Sequence, residues 1–173
     1  MRKNKITPTN NEKVLNESDF IVSKTDTQGR IIYCNQIFMD MAEYEENELI
    51  NLNHNIIRHP EMPRVAFKLA WDLLKSGKEF FGFVKNLRKN GGFYWVYTNI
   101  TPDFNERGTI IGYTSVRRKP SKSAINTIIP IYQQLSSLER NGNISNSEKF
   151  LMDYLEENNT TYEKLIISLQ GEN

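Results

Sequence analysis

The segment between residues 52 and 101 joins a polar loop to one helix and then to two aromatic-rich stretches. Pro63 suits the first turn of a helix, because its φ is already helical and it has no N–H to leave unpaired. Gly77 is typical of the residue that follows a helix. Between them the apolar side chains form two adjoining stripes, so this helix is predicted to be buried on more than one side. The remaining stripe is charged and consists of Arg64, Lys68, Asp72 and Lys75.

Two strands are predicted directly after this helix. Residues 79–88 are rich in Phe and Val, and residues 93–100 are aromatic and β-branched. Residues 89–92, Lys-Asn-Gly-Gly, have the composition of a hairpin turn. A buried helix that lies across an aromatic hairpin is an arrangement from which a small domain can build a pocket.

Three further strands are predicted within the first 120 residues, with short helices between them. Asn35 can cap a helix that runs to about Glu43, and residues 26–30 and 103–108 have turn composition. This order of elements predicts an α+β domain of about 100 residues, in which a five-stranded antiparallel sheet carries short helices on one face. The three strands are residues 19–25, 31–34 and 109–116.

The chain is divided into an N-terminal segment (1–17), this domain (18–120) and a C-terminal segment (121–173). The N-terminal segment is polar and is predicted to be flexible. Val14 and Leu15 are predicted to begin a short helical cap that docks on the domain.

The C-terminal segment is predicted to form a helical hairpin. Residues 121–140 are amphipathic, with Pro130 expected to kink or interrupt their helix. After a turn at 141–143, Ser145 and Glu148 have the spacing of a capping box for a final helix to about residue 169. The apolar face of this hairpin requires a partner, which is the domain itself, a second copy or another protein.

Composition restricts the environment of the protein. A net charge of +1 gives no strong field toward nucleic acid or an anionic membrane. The charge is uneven, because residues 139–173 carry −4 and residues 1–138 carry +5. The single cysteine, Cys34, permits no intrachain disulfide. Since neither an apolar run of about 18 residues nor a signal-peptide core occurs, a soluble cytoplasmic protein is predicted.

Two neighbouring residues are candidates for anion binding. Arg58 and His59 precede the N-terminus of the central helix, where backbone N–H groups favour negative charge. An arginine there can hold a pyrophosphate through paired charge-assisted bonds. The alternative is a solvated arginine beside a histidine that caps or packs.

Other side chains suit the ring of a ligand. Trp71 can wall off a flat ring system or can be an ordinary core residue. Amide groups can bond the rim of a ring, or can cap a helix and pair across the sheet. The amide candidates are Asn35, Asn86 and Asn99.

Six motifs resemble the N-terminal PAS domain of Aer-type energy-taxis receptors. The resemblance covers roughly residues 18–120 and extends to Ile129-Pro-Ile-Tyr132. It implies the PAS fold. The motifs are Ile57-Arg-His-Pro-Glu-Met-Pro-Arg64, Trp71-Asp-Leu-Leu-Lys-Ser-Gly77, Val84-Lys-Asn-Leu-Arg-Lys-Asn-Gly91, Tyr94-Trp-Val96, Asn99-Ile-Thr-Pro102 and Gly112-Tyr-Thr-Ser-Val-Arg117.

The resemblance also implies a function and a set of partners. In this family the PAS domain binds FAD non-covalently and relays the redox state of the flavin to a chemotaxis signalling domain. Arg58, His59 and Trp71 match positions that support FAD, and Glu61 stands where the family commonly has Asp. Because the chain ends without a membrane span or a signalling hairpin, it looks like the detached sensor of a bipartite system of the CetA/CetB kind. The expected partners are a membrane chemoreceptor that carries the signalling domain and a second copy of the chain.

Rival interpretations stay open at this point. Haem is the leading rival cofactor, since His54 or His59 can ligate iron. Cys34 ends a strand, whereas light-sensing LOV domains carry their reactive cysteine in a helix, which argues against a flavin–thiol adduct. A cofactor-free PAS adaptor, which serves only protein assembly, is the rival from another class.

Neither catalysis nor nucleic-acid binding is predicted. The sequence has no nucleophile–base pair, carboxylate constellation or zinc spacing. Its basic runs at 85–89 and 117–119 are interpreted as solvated ends of adjacent strands.

Overall fold

One antiparallel sheet organises the protein, which is described by a computed structural model over residues 6–140 and 142–171. Its strands are β1 (Ile21–Asp26), β2 (Ile31–Cys34), β3 (Phe80–Leu87), β4 (Phe93–Phe104) and β5 (Ile110–Arg118). β1 and β2 form a hairpin, and β3, β4 and β5 form a meander. Because β1 pairs with β5, the order across the sheet is β2-β1-β5-β4-β3. The predicted five-stranded α+β fold is confirmed.

Short helices fill the chain between β2 and β3 and pack on the sheet. They are α1 (Gln36–Ala42), α2 (Glu46–Leu49), a 3-10 turn (His54–Ile57) and α3 (Arg64–Lys75). α3 packs on β3 and β4, and buries apolar side chains from more than one side, as predicted. Pro63, predicted at the first helical position, is instead the N-cap with a ψ of 140°, and Gly77, with a φ of +80°, follows the end of the helix.

The N-terminal segment is extended where the structure describes it, and the predicted helical cap at Val14 and Leu15 is wrong. Its backbone pairs with the start of β4, through Lys13 N donating to the oxygen of Phe93 at 2.8 Å. Leu15 is buried in the core near α1 instead of leading a helix. A side chain at Gly91 would collide with the backbone of this segment, so glycine is required for its close approach.

Three helices, rather than two, make up the described C-terminal segment. They are α4 (Lys122–Leu138), α5 (Ser145–Glu157) and α6 (Tyr162–Gly171). Pro130 removes one backbone donor but does not interrupt α4. The predicted final helix instead breaks between residues 158 and 161, where Asn159 has a φ of +48°. The turn predicted at 141–143 lies partly outside the described residues.

The apolar face of the C-terminal segment packs on the domain. α6 contacts β3, and α4 contacts both α5 and α6. The buried hydroxyl of Tyr132 donates to the backbone oxygen of Phe83 at 2.8 Å, and lies 3.2 Å from the hydroxyl of Tyr162. β3 is the last strand of the sheet, so these helices cover an edge that would otherwise be open to pairing.

Candidate ligand-binding cavity

A cavity of about 520 Å³ lies between α3 and the inner face of the sheet. This volume is typical of small-molecule sites, which run from about 300 to 1,000 Å³. Side chains from β1, β3, β4 and β5 form one wall, and α3 forms the opposite wall. The turn before β2 and residues 53–58 complete the lining.

The α3 wall is apolar and aromatic. Phe67, Ala70, Trp71 and Leu74 line the cavity from this helix. The ring of Trp71 meets Tyr113 of β5 edge-on, with 5.3 Å between the ring centroids. A flat, weakly polar ring can be held against such walls by dispersion and stacking.

The sheet wall carries a buried cation. Arg117 is 3% exposed and donates to the hydroxyl of Ser23. Its second terminal nitrogen lies 3.4 Å from Nε2 of His54, and its guanidinium carbon lies 4.8 Å from the ring centre of Phe38. None of these partners is anionic. Burial lowers the pKa of Arg117 to about 10, which leaves it charged at neutral pH.

His54 lies beside this cation as a neutral imidazole. Burial, and then the charge of Arg117, lower the pKa of His54 to about 3. Its Nε2 lies 3.1 Å from the Ser23 hydroxyl, and the tautomer of the ring sets which of the two atoms donates the hydrogen bond. Its ring stacks on Phe38, with 5.5 Å between the centroids.

Three buried polar atoms of the described residues have no hydrogen-bond partner: Asn86 Nδ2, Tyr94 Oη and Arg117 Nε. Asn86 and Tyr94 are cross-strand neighbours in β3 and β4, and Asn86 and Arg117 both line the cavity. Burial raises the pKa of Tyr94 to about 12, so its hydroxyl keeps its proton. Buried polar groups are nearly always paired. Asn86 Nδ2 and Arg117 Nε are therefore suited to receive the polar edge of a ligand, whereas Tyr94 lies beside Asn86 and outside the lining.

The charges around the cavity have one sign. Arg58, Lys75 and Arg117 line it, whereas no Asp or Glu is found among the described residues of its lining. An anionic ligand is therefore favoured over a cationic one.

The structure places Arg58, Trp71 and Asn86, of the predicted site residues, in the lining of the cavity. Arg58 is half-buried, and its guanidinium lies 4.2 Å above the ring centre of Phe67. Burial lowers the pKa of Arg58. Its backbone also forms a bridge to Asn86, so the loop is joined to the edge strand at this point.

Two predicted amides lie outside the cavity. The side-chain oxygen of Asn35 accepts from the backbone N–H groups of Val22 and Phe38, and its nitrogen donates to Phe20. Asn35 is thus fully used in capping α1 and closing the first hairpin. Asn99 donates to Glu79 at 3.0 Å and is not part of the lining.

His59 and Glu61 are also outside the lining. His59 is 1% exposed and accepts the backbone N–H of Glu61 through Nδ1 at 3.2 Å. Burial, and then the charge of Lys85, lower the pKa of His59 to about 4. Glu61 is exposed and pairs with Lys85 at 2.6 Å. These two residues shape the loop before α3 rather than the cavity.

The N-terminus of α3 does not offer the anion site that its sequence indicates. The carboxylate of Glu139, from the end of α4, accepts the backbone N–H groups of Arg64 at 2.7 Å and Val65 at 2.9 Å. The hydroxyl of Ser147 donates to the same carboxylate. A negative charge from residues far away in sequence thus already occupies this helix terminus.

The structure disfavours the rival chemistries. Cys34 is buried but does not line the cavity. His59 is outside the lining, and Nε2 of His54 points at Ser23 and a guanidinium, where a metal cation would be repelled. Over the described residues, no group of His, Cys, Asp and Glu is arranged to hold a metal ion.

Among the residues that the structure describes, no helix has the length and apolar character to cross a membrane.

Sequence reasoning missed Arg117 and Ser23 as cavity residues. It interpreted Arg117 as part of a solvated basic run. In β5, however, burial alternates, so that Tyr113, Ser115 and Arg117 are buried and Val116 and Arg118 are exposed. The two-residue period of a strand was the signal that separates Arg117 from its neighbour.

A ligand-sized cavity between a five-stranded antiparallel sheet and short helices is the architecture of a PAS domain. Residues 31–117, about half of the chain, match the family described as PAS fold. The chain belongs to the PAS fold family.

More particular similarities point to sensor proteins. Over 117 residues the chain is 40% identical to the aerotaxis receptor of Escherichia coli (strain K12), an alignment that covers 68% of this chain and 23% of the receptor. It is 29% identical over 110 residues to the nitrogen fixation regulatory protein of Klebsiella oxytoca, covering 64% and 22% of the two chains. The chain thus spans less than a quarter of the length of these relatives. The predicted resemblance to Aer-type PAS domains is confirmed.

A solved structure supports the same fold. It is described as "Flavin Analogue Sheds Light on Light-Oxygen-Voltage Domain Mechanism" and superposes with a TM-score of 0.57 at 22% identity. The superposition covers 66% of this chain and 86% of the other.

Proposed function

We propose that this protein is a non-enzymatic redox sensor whose PAS domain binds FAD and whose output is directed to a chemotaxis receptor. The observation that carries the proposal is a cavity with aromatic walls, three lining cations and no carboxylate in its described lining. FAD combines a flat ring system with an anionic pyrophosphate and so matches both properties. The 40% identity to an aerotaxis receptor supports energy taxis as the process served.

The residues present fit such a ligand. Phe67 and Trp71 would hold the ring system, and Asn86 and Arg117 would bond its polar edge. A flavin bound here supplies reversible electron transfer, while the chain binds it, orients it and excludes water. The unpartnered donors of Asn86 and Arg117 add to this match, because the pyrimidine edge of a flavin carries two carbonyl oxygens.

The output would run through α3 to the C-terminal helices. α3 lines the cavity with Phe67, Trp71 and other side chains, and its N-terminus is held by Glu139 of α4. A displacement of α3 on a change of redox state would therefore alter the docking of the C-terminal segment. In this proposal the surface of the C-terminal segment that changes its docking is the binding surface. Its partner is the cytoplasmic face of a membrane receptor or a second copy of the chain.

The absorption spectrum of protein purified under native conditions tests the proposal. We expect a yellow protein with two flavin bands, which dithionite bleaches and air restores. A Soret band would identify haem instead. A colourless protein to which added FAD does not bind would favour a cofactor-free adaptor.

A further inference from the structure

The carboxylate of Glu139 is a negative charge that the C-terminal segment places beside the domain. It is buried and accepts the backbone N–H groups of Arg64 and Val65 at the start of α3. We propose that this carboxylate competes with the phosphates of the cavity ligand for the same positive charges, so that a phosphorylated ligand and the docked C-terminal segment weaken each other. This inference rests on the proposed function and adds a regulation of its binding site.

Arg58 is the lining cation that lies at the same end of α3 as Glu139. Its guanidinium stands 4.2 Å above the ring centre of Phe67, which follows Arg64 by three residues and so lies one turn further along the same side of the helix. Of the other two lining cations, one ends α3 and the other lies in β5. A phosphate held by Arg58 would therefore be the one that comes near Glu139.

The charges of this region act on one another. Burial lowers the pKa of Arg58, whereas the charge of Glu139 raises it and the charge of Arg64 lowers it. Glu139 thus stabilises the guanidinium charge that would attract a phosphate. Its carboxylate also lies 3.6 Å from Nε of Arg64. A phosphate and Glu139 would compete for one set of positive charges, which consists of the two guanidinium groups and the N-terminus of α3.

The loop that carries Arg58 is joined to α4 by a second contact. The hydroxyl of Ser136 donates to the backbone oxygen of Glu61 at 3.1 Å. Ser136 and Glu139 lie one turn apart at the end of α4, so this helix end holds both the loop before α3 and the first turn of α3. Release of the end of α4 would therefore change the surroundings of Arg58.

Competition between two anions makes ligand binding and docking interdependent. Like charges that share a partly buried site repel each other more strongly than they would in water. A bound phosphate would therefore weaken the contact between α4 and α3, and the docked segment would lower the affinity for the phosphate. Thermodynamic linkage requires the two effects to be equal in free energy. A ring without a phosphate carries no charge that could take part.

Binding of riboflavin, FMN and FAD to the whole chain, measured by fluorescence quenching, tests the competition. In Glu139→Gln we expect the Kd values for FMN and FAD to fall roughly threefold or more, while that for riboflavin, which has no phosphate, stays unchanged. Glu148→Gln is the matched control, because this carboxylate also joins the C-terminal segment to α3 but pairs with Lys68 on its exposed side. It should change none of the three Kd values.

A double-mutant cycle locates the competition at Arg58. In the Arg58→Ala background, Glu139→Gln should improve FMN binding less than it does in the wild-type chain, because one of the shared charges is gone. The opposite direction of the linkage is measured by limited trypsin cleavage after Arg140, which follows the Glu139 contact directly. Saturation with FMN or FAD should speed this cleavage, and saturation with riboflavin should not.

The other outcomes separate the inference from the proposed function. If the wild-type chain binds no flavin, the proposed function fails and the inference fails with it. If flavin binds and Glu139→Gln leaves the Kd values for FMN and FAD unchanged, the inference alone is wrong. Equal gains for all three flavins would mean that Glu139 acts on the shape of the cavity, which would also overturn it. Should Glu139→Gln not fold, judged by circular dichroism, cleavage of the wild-type chain decides, and a rate that phosphorylated flavins do not raise contradicts the competition.

Discussion

Exposure separates the two arginines of the cavity. Arg58 is half-buried over Phe67, and it can change its water shell when a ligand enters. Arg117 is buried among neutral groups and cannot regain water. The same side-chain type therefore stands in two physical environments: Arg58 can meet a charged group near solvent, whereas Arg117 lies in a dry environment.

Removing Arg58 should affect binding more than folding. Arg58→Ala loses a contact over one ring and little buried apolar area, so the free energy of unfolding of the ligand-free protein should fall by less than about 1 kcal/mol. Loss of a charge-assisted contact to phosphate should weaken FAD binding by about 1.5–3 kcal/mol, or roughly tenfold to a hundredfold. Retention of colour on gel filtration reports the outcome. Arg107→Ala, in the exposed β4–β5 loop, is the control, and a fully coloured Arg58→Ala protein would contradict the assignment.

The two histidines should make stability depend on pH. Their folded-state pKa values, about 3 for His54 and about 4 for His59, lie below the unfolded value of 6.5. The unfolded chain thus binds protons that the folded chain does not, and stability is fully present above pH 6.5 and is lost as the pH falls toward 4. Thermal melts of ligand-free protein between pH 7 and 5 should show this slope.

His59→Gln isolates one of these contributions. Glutamine keeps an acceptor for the N–H of Glu61 but does not titrate. We expect a shallower loss of stability between pH 6.5 and 5 than in the wild-type protein. The pKa values of carboxyl groups in an unfolded chain lie near 4, so these groups change the stability mainly at pH values below this window. Parallel slopes for the two proteins would show that His59 is not buried as a neutral group.

Cavity residues in the loop before α3 and in α3 itself were easier to predict from sequence than cavity residues in the strands. Arg58 and Trp71 line the cavity, as the loop, the proline and the apolar helix stripe together indicate, and their contact with a ligand stays a prediction. His59 was assigned to the ligand, but its ring turns inward to hold the backbone of Glu61. Asn35 was assigned to both a cap and a ligand, and the cap uses all of its polar atoms. Sequence shows which groups a residue offers, whereas the three-dimensional contacts decide which partner takes them.

At the scale of elements, α3 connects the cavity with the C-terminal segment. Its middle lines the cavity, and its N-terminus lacks a side-chain cap of its own, because Pro63 has none to offer. Glu139 supplies that cap from a different element. Contacts between residues 75 positions apart carry no local sequence signal, and so this cap was not predictable from the pattern around α3.

Glu139→Gln should loosen this connection. The glutamine keeps one acceptor but loses the charge that favours a helix N-terminus, so the free energy of unfolding should fall by about 1–2 kcal/mol in urea titrations. Glu148→Gln is the control, since the Lys68–Glu148 ion pair also joins α3 to α5 but is largely exposed. The free energy of unfolding should fall less in Glu148→Gln than in Glu139→Gln. Equal losses for the two variants would indicate that Glu139 acts only as a surface charge.

The C-terminal elements show where local signals mislead. Ser145 and Glu148 have capping-box spacing, but Ile144 is the N-cap, and the side chain of Asn143 takes the N–H of Ser145 instead. The apolar stripe continues past residue 158, while the backbone turns at Asn159 so that α6 can reach β3. Periodicity correctly predicted helices in this region, but the break depends on packing against the domain.

At the scale of the whole molecule, the C-terminal segment is a layer on the domain. Its surplus of negative charge faces the positive domain in part through Arg64–Glu139 and Lys68–Glu148. Its buried tyrosines, Tyr132 and Tyr162, cover the edge strand. A receptor could bind this apolar face only after the C-terminal segment had left the domain. A change in the docking equilibrium of the segment would therefore change receptor binding.

Reduction of a bound flavin should therefore change how firmly the segment is docked. Limited trypsin cleavage after Arg140, which is exposed at the end of α4, reports this docking, because release of the neighbouring Glu139 contact should make local unfolding there easier and cleavage faster. We expect the cleavage rates of oxidised and dithionite-reduced protein to differ severalfold, since α3 contacts both the cavity and Glu139. In Glu139→Gln the rate should be high in both states, because the contact that transmits the change is weakened. Cleavage after Arg107, in a loop remote from this contact, is the internal control and should not respond. Identical rates after Arg140 in both redox states of the wild-type protein would mean that the signal leaves the domain by another surface.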